Sequence, residues 1–176
     1  MSVTKKTKIE KVAILTSAES WYVPYAKEVA TMLKKRGYVA RLFFDHRKID
    51  EKWPTVFILS YFKVLPKGFL EKHSQNLVVH ESALPKHRGW APLFWQILEG
   101  KRSIPVVLLE AGARVDSGDI YIKDRIVLNG DELHDKIRRK QALKTFELCS
   151  SYLEDRAKLK PIKQKGKGTY CRRRTP

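Results

Sequence analysis

Six short apolar runs, separated by polar turns, set the pattern of this chain. They are KVAILTS at 11–17, ARLFF at 40–44, TVFILSYF at 55–62, NLVVH at 76–80, IPVVLLEA at 104–111 and GDIYIKDRIVL at 118–128. Runs of this kind, rich in β-branched and aliphatic residues and bounded by Gly, Pro and Asp, read as strands. Between the first two, Val23, Ala26, Ala30 and Leu33 recur at helical spacing. Ser20 is the expected N-cap of that helix, Pro24 sits in its first turn, and Gly37 stops it after three basic residues. Further helices are expected around 66–72, from Pro92 to Gly100, and over 131–156. Strand and helix in alternation imply an α/β fold, a mostly parallel twisted sheet flanked by helices. The last two strands, joined through GARVDSG, add an antiparallel edge.

The chain has 176 residues, 43% of them apolar, enough for one domain with a real core. We expect a single catalytic domain over 1–160 and a basic extended arm over 161–176. No apolar run is long enough to cross a bilayer, and the opening MSVTKKTKIEK lacks the apolar core of a secretory leader. Two cysteines, Cys149 and Cys171, make neither a disulfide framework nor a metal site, so a reducing cytoplasm is expected. The net charge of +17 invites a nucleic-acid reading, with Trp21, Trp90 and Trp95 as stacking residues. Nine of the 36 basic residues lie within 156–176, where there is no acid, leaving 27 against 19 in the rest. Half of the excess charge therefore belongs to the tail, and Trp95 falls on an apolar helix pattern that places it in the core. Nucleic acid is set aside as the main partner.

Ligands of open α/β sheets bind beyond the carboxyl ends of the strands. Four such ends matter: LTSAESW, LSYFKVLP, VHESALP and ARVDSGD. None carries a glycine-rich phosphate loop, so a dinucleotide or P-loop site is excluded, and Asp45 and His46 after the second strand read as turn residues. Two of these ends carry His80 and Asp116. A histidine passes protons near neutral pH, and a carboxylate beside it orients the ring and holds its charge. Each also has a plain structural use, His80 as a strand cap and Asp116 as a turn former ahead of Gly118.

The segment VVHESALPKHRGWAPLFWQILEGKRSIPVVLLEAGARVDSGDIY resembles the signature of the formyltransferases that use 10-formyltetrahydrofolate. The matching positions are His80, Ser82, Leu84, Pro85, Arg88, Gly89 and Pro92, then Asp116, Gly118 and Ile120. VFILSYFKVLP resembles that family's third-strand segment, and KGTYCRRRTP resembles the tail of its sugar-modifying members. The resemblance implies a Rossmann-like formyltransferase fold with His80 and Asp116 catalytic. It places the folate against Tyr61, Val64, Leu65, Glu110 and Asp116, and the acceptor near Ser17, Trp21, Ser82, Lys86, Arg88 and Trp90. No metal is implied. One departure stands out: the family's asparagine two residues before the histidine is Val78 here, with Asn76 a further pair back.

Within the family, LTSAESW lacks the phosphate loop of the glycinamide-ribonucleotide enzymes, and no added C-terminal barrel of the initiator-tRNA enzymes is seen. ILTSAESWYVPYA and TYCRRRTP are most similar to enzymes that formylate a nucleotide-linked amino sugar. That is the expected acceptor, with an inactive formyltransferase-like protein and a basic nucleic-acid module as alternatives. Lys86 and Arg88 suit phosphate contacts or plain solvation, His87 reads as a loop residue, and a late edge strand leaves room for a homodimer.

Overall fold

The computed structural model describes residues 10–173. The leaderless N-terminus read from the sequence, and the last three residues of the expected arm, lie outside that range. Eight strands and four helices follow in chain order. They are β1 (Lys11–Leu15), α1 (Val23–Lys35), β2 (Val39–Phe43), β3 (Thr55–Ile58), α2 (Lys67–Lys72), β4 (Gln75–His80), β5 (Arg88–Gly89), α3 (Pro92–Leu98), β6 (Ser103–Glu110), β7 (Ile120–Val127), α4 (His134–Asp155) and β8 (Tyr170–Cys171). The main sheet has the order β2-β1-β3-β4-β6-β7. β1, β2, β3 and β4 pair in parallel, while β6 is antiparallel to both β4 and β7. The parallel half with an antiparallel edge is as the sequence pattern implies.

β3 is buried along its whole length and β1 from Val12 onward, as strands covered on both faces must be. Side-chain alternation divides them between two apolar layers. Val12, Ile14, Phe57 and Leu77 meet α1, α3 and α4 through Ala26, Leu33, Leu93 and Leu148. Ala13, Leu15, Val56 and Ile58 face the opposite way, onto Phe43, Trp53 and Phe69. β4 is the hinge of the arrangement: Leu77 belongs to the first layer, and Asn76, Val78 and His80 point to the second.

Three details differ from the sequence pattern. The first helix begins at Val23, and Ser20 accepts the Tyr22 N–H (3.1 Å) in the turn before it. Ser20 therefore closes a local turn, its hydroxyl also donating to Ser60 (2.9 Å). The third strand stops at Ile58, because Ser60 takes a positive φ of 52° that no strand tolerates. Trp95 is only half-buried: its indole N–H leaves the core and donates to the Arg172 carbonyl (3.1 Å), so it docks the C-terminal arm.

No helix among the described residues is long and apolar enough to cross a membrane. Beyond α4 the chain runs over the surface; Ile162 pairs with Ile120, and β8 pairs with β5. Leu77, fully buried in β4, tests this core. Leu77→Ala is expected to lower the unfolding free energy from urea titration by about 2–5 kcal/mol, whereas a change below about 1 kcal/mol would place this strand outside the core.

Candidate active site

His80 closes β4 and is buried. Asp116 follows β6, but β6 runs against β4, with Glu110 opposite Leu77 and Val107 opposite His80. The 111–119 loop therefore leaves the sheet beside Asn76, whose carbonyl accepts the Ala111 N–H (2.6 Å). That is the amino end of β4, not the carboxyl edge the sequence pattern suggests. The loop folds back across the sheet face and returns Asp116 to the ring. A span of roughly 10 Å, three residues of strand, is within reach of the five residues from Ala111 to Asp116.

The meeting is close. His80 Nδ1 stands 3.5 Å from Asp116 Oδ2, and His80 Nε2 stands 2.8 Å from the carbonyl oxygen of His87. The same Asp116 oxygen accepts the Gly89 N–H at 2.8 Å. A neutral imidazole carries one proton, so this ring faces two acceptors with a single donor. A proton taken from a substrate finds an acceptor already in place, which is what a group that both takes and returns protons requires.

The backbone around the ring is strained. Ser60, His87, Ala91 and Asp116 are the non-glycine residues with positive φ among the described residues, at 52°, 57°, 46° and 50°. Ser60, Ala91 and Asp116 line the cleft, and His87 supplies the carbonyl on His80. Left-handed backbone costs such a residue about 1–3 kcal/mol and persists where its surroundings hold it. Gly118 is part of that hold: a Cβ there would come within 1.9 Å of the Glu110 carbonyl oxygen, so only glycine lets the loop turn so close to β6.

The cleft encloses about 470 Å³ over a floor of Ile58, Val78 and Leu109. Tyr61, Val64 and Leu65 form one wall. The Tyr61 hydroxyl is pinned by His46, through the ring nitrogen (2.7 Å) and the backbone N–H (3.2 Å), which fixes the tyrosine ring. At the end of β6, Glu110 Oε1 accepts the Asn76 N–H (2.9 Å), while Oε2 is buried without a partner among the described residues. Burial pushes the Glu110 carboxyl up to about 7, against the single hydrogen bond that favours its charge.

The other end of the cleft holds a polar relay that the sequence did not point out. Arg138 Nη1 donates to Gln141 Oε1 (2.9 Å), and Gln141 Nε2 donates to Glu81 Oε1 (2.6 Å). The guanidinium lies 4.1 Å from the Trp21 ring centre and 4.5 Å from that of Phe94. Burial raises the Glu81 carboxyl and lowers Arg138, each against the pull of the opposite charge. Its signal was present: Gln141 and Thr145 interrupt the buried stripe that Ile137 and Leu148 continue on α4.

His80, Asp116, Tyr61, Val64, Leu65, Glu110, Trp21 and Trp90 all lie in the cleft walls. Ser17, Ser82, Lys86 and Arg88 do not. The Ser17 hydroxyl accepts the Phe62 N–H (2.9 Å), Ser82 is buried with its N–H on the His80 carbonyl (3.0 Å), and Lys86 is exposed. Arg88 is engaged by Gln164 (2.6 Å). Asn76 does not reach the ring either, since its amide donates to the Leu70 carbonyl (2.8 Å). Among the described residues no cluster of His, Cys, Asp and Glu is arranged to hold a metal ion.

Comparison with known proteins bears on the family and the fold. The formyl transferase family model matches residues 4–150. The methionyl-tRNA formyltransferase of Rickettsia prowazekii (strain Madrid E) is 34% identical over 131 residues, 73% of this chain and 43% of that protein. The chain thus spans under half the length of that relative. A methionyl-tRNA formyltransferase from Clostridium thermocellum superposes with a TM-score of 0.76 at 22% identity, over 95% of this chain and 74% of its own. The formyltransferase PseJ from Anoxybacillus kamchatkensis, in complex with UDP-4,6-dideoxy-4-formamido-L-AltNAc and tetrahydrofolate, gives 0.67 at 17% identity, over 92% and 85%. At such identities the two structures speak for the fold alone.

Glu110 yields a test of the cleft's electrostatics. The native carboxyl keeps its proton up to about 7, while the unfolded chain releases it near 4.5. Between those values the native state binds more protons, so this group's contribution to stability falls as pH rises and is flat above them. Glu110→Gln is expected to remove that slope, leaving the variant more stable relative to the parent near pH 8 than near pH 5 in urea titrations. An equal difference at both would mean that Glu110 titrates normally.

Proposed function

Since the chain belongs to the formyl transferase family, we propose that it moves the formyl group of 10-formyltetrahydrofolate onto the amine of a nucleotide-linked amino sugar, with His80 as general acid and base and Asp116 assisting. The observation that carries the reading is the approach of His80 and Asp116, 3.5 Å apart across a cleft whose floor is apolar. The donor supplies an activated one-carbon unit. The residues of the cleft suit it: Tyr61, Val64 and Leu65 offer a wall for a flat pterin, and the unpartnered Glu110 oxygen offers an acceptor, or a donor when protonated, to its polar edge. Glu110, carrying a proton near neutrality, has both uses without a buried charge.

His80 takes the proton that the attacking amine sheds, Asp116 holds the resulting charge, and His80 returns a proton to the departing folate nitrogen. Val78 gives no hydrogen bond to the oxygen that becomes anionic, so that donor has to be a backbone N–H or a water. Trp21 and Trp90 line the cleft and are the aromatic surfaces assigned to the acceptor in this reading. The sugar assignment is motivated by the tail segment TYC beside the His87 loop and by the shared fold of PseJ, a protein seen with a formamido sugar nucleotide. A methionyl-tRNA acceptor is the second reading, favoured by the names of the sequence relatives.

Release of tetrahydrofolate from 10-formyltetrahydrofolate, followed with 4-amino-sugar nucleotides and with methionyl-tRNA, separates these readings. Release with a sugar nucleotide is expected. Formylation of the tRNA alone would overturn the sugar, and no release with either would overturn formyl transfer. His80→Asn is expected to lower kcat by about 10²- to 10⁴-fold while leaving the unfolding midpoint near that of the parent. A folded variant at parental rate would remove His80 from the chemistry.

A further inference from the structure

Both acceptors facing His80 sit on loops that the C-terminal arm ties down. The His87 loop is held by Thr169 and Cys171. Thr169 accepts the Arg88 N–H at its carbonyl (2.9 Å) and the His87 N–H at its hydroxyl (2.9 Å), and it donates its own N–H to the Pro85 carbonyl (3.2 Å). Cys171 accepts the Trp90 N–H (3.1 Å), and a Cβ on Gly89 would come within 2.8 Å of that same carbonyl oxygen. The Asp116 loop is held by Gln164. Its Nε2 donates to the carbonyls of Asp116 (2.9 Å) and Gly118 (2.8 Å), and its Oε1 accepts from Arg88 Nη2 (2.6 Å).

The chemistry of the amide makes this a specific fit. A carboxamide has two N–H donors and one carbonyl acceptor, and here two carbonyls and one guanidinium meet them. A flipped amide, or a carboxylate, would set oxygen against two carbonyl oxygens. The bridge spans the turn in which Asp116 holds its positive φ, and its far end grips the residue beside Gly89, whose N–H bonds the Asp116 carboxylate. Gln164 therefore closes a ring: Asp116 carboxylate, Gly89 N–H, Arg88 side chain, Gln164 amide and Asp116 carbonyl. No other described residue of the arm hydrogen-bonds to both loops.

We propose that Gln164 is a positioning residue that sets the Asp116 carboxylate against His80, acting through the backbone of the Asp116–Gly118 turn and through Arg88. The kinetic part of this proposal rests on the formyl-transfer reading; the geometric part does not. Gln164 does not line the cleft, so its loss is expected in kcat rather than in the KM for the formyl donor.

The test compares the full chain with Gln164→Ala and Gln164→Glu. Exchange of the Gly89 amide, read by NMR, reports the bond to Asp116 without any substrate, and urea titration gives global stability alongside it. In both variants Gly89 protection is expected to fall tenfold or more relative to Phe57 in the core, with kcat down about tenfold and the donor KM within about twofold. Gln164→Glu keeps the size of the side chain and an acceptor for Arg88, so a defect equal to that of Gln164→Ala identifies the two carbonyl bonds as the cause. Unchanged Gly89 protection in a folded variant would overturn the proposal. So would a kcat loss that merely follows the folded fraction. If Gly89 protection falls while even the parent protein releases no tetrahydrofolate, the brace stands and the formyl-transfer reading falls.

Discussion

Between β4 and β6 the chain reverses direction, so the loop after β6 starts beside Asn76, at the wrong end of β4 to serve His80. Everything in the cleft follows from how that mismatch is resolved. The loop cannot remain at the sheet edge; it must travel back over the face, across Val78 and Leu109. That path converts a bare sheet face into a roofed cleft with an apolar floor. It also explains why glycine stands at 118, where the returning chain almost touches the Glu110 carbonyl.

A loop that crosses a sheet face exchanges water for apolar surface, and its polar groups need partners. The partners come from three distant parts of the chain: Gly89 for the Asp116 carboxylate, Asn76 for one oxygen of Glu110, and Gln164 for two loop carbonyls. The other oxygen of Glu110 is the exception, buried without a partner among the described residues. At the opposite end Glu81 and Arg138 avoid direct contact; Gln141 stands between them and passes hydrogen bonds both ways. Two half-buried ionisable groups are thus bridged by a neutral amide rather than by a direct ion pair.

Unbroken runs of Val, Ile and Leu are the direct consequence of strands buried on both faces, so β1, β3 and β4 and their parallel direction could be read before any coordinates. His80 was legible for the same reason, as a polar end to an apolar run. The position of Asp116 was legible only in part: its turn chemistry identifies a loop, but strand direction, a non-local property, decides where that loop goes. Gln164, Arg138 and Gln141 were hidden because each acts across more than forty residues or from a helix stripe that looks merely imperfect. Trp95 was misplaced since an apolar helical pattern cannot tell a face turned to the core from one covered by an arm.

The central claim is that the His80 ring and the Asp116 carboxylate meet at the spot where a formyl group is transferred. Crystals of the protein grown with a non-transferring 10-formyltetrahydrofolate analogue and diffracted to high resolution test it most directly. The account predicts a pterin lying on Tyr61 and reaching Glu110, with the formyl nitrogen within direct or one-water hydrogen-bond reach of His80, about 2.6–3.2 Å for each bond. A folate bound outside this cleft, or bound within it with its formyl group turned away from His80, would contradict the account.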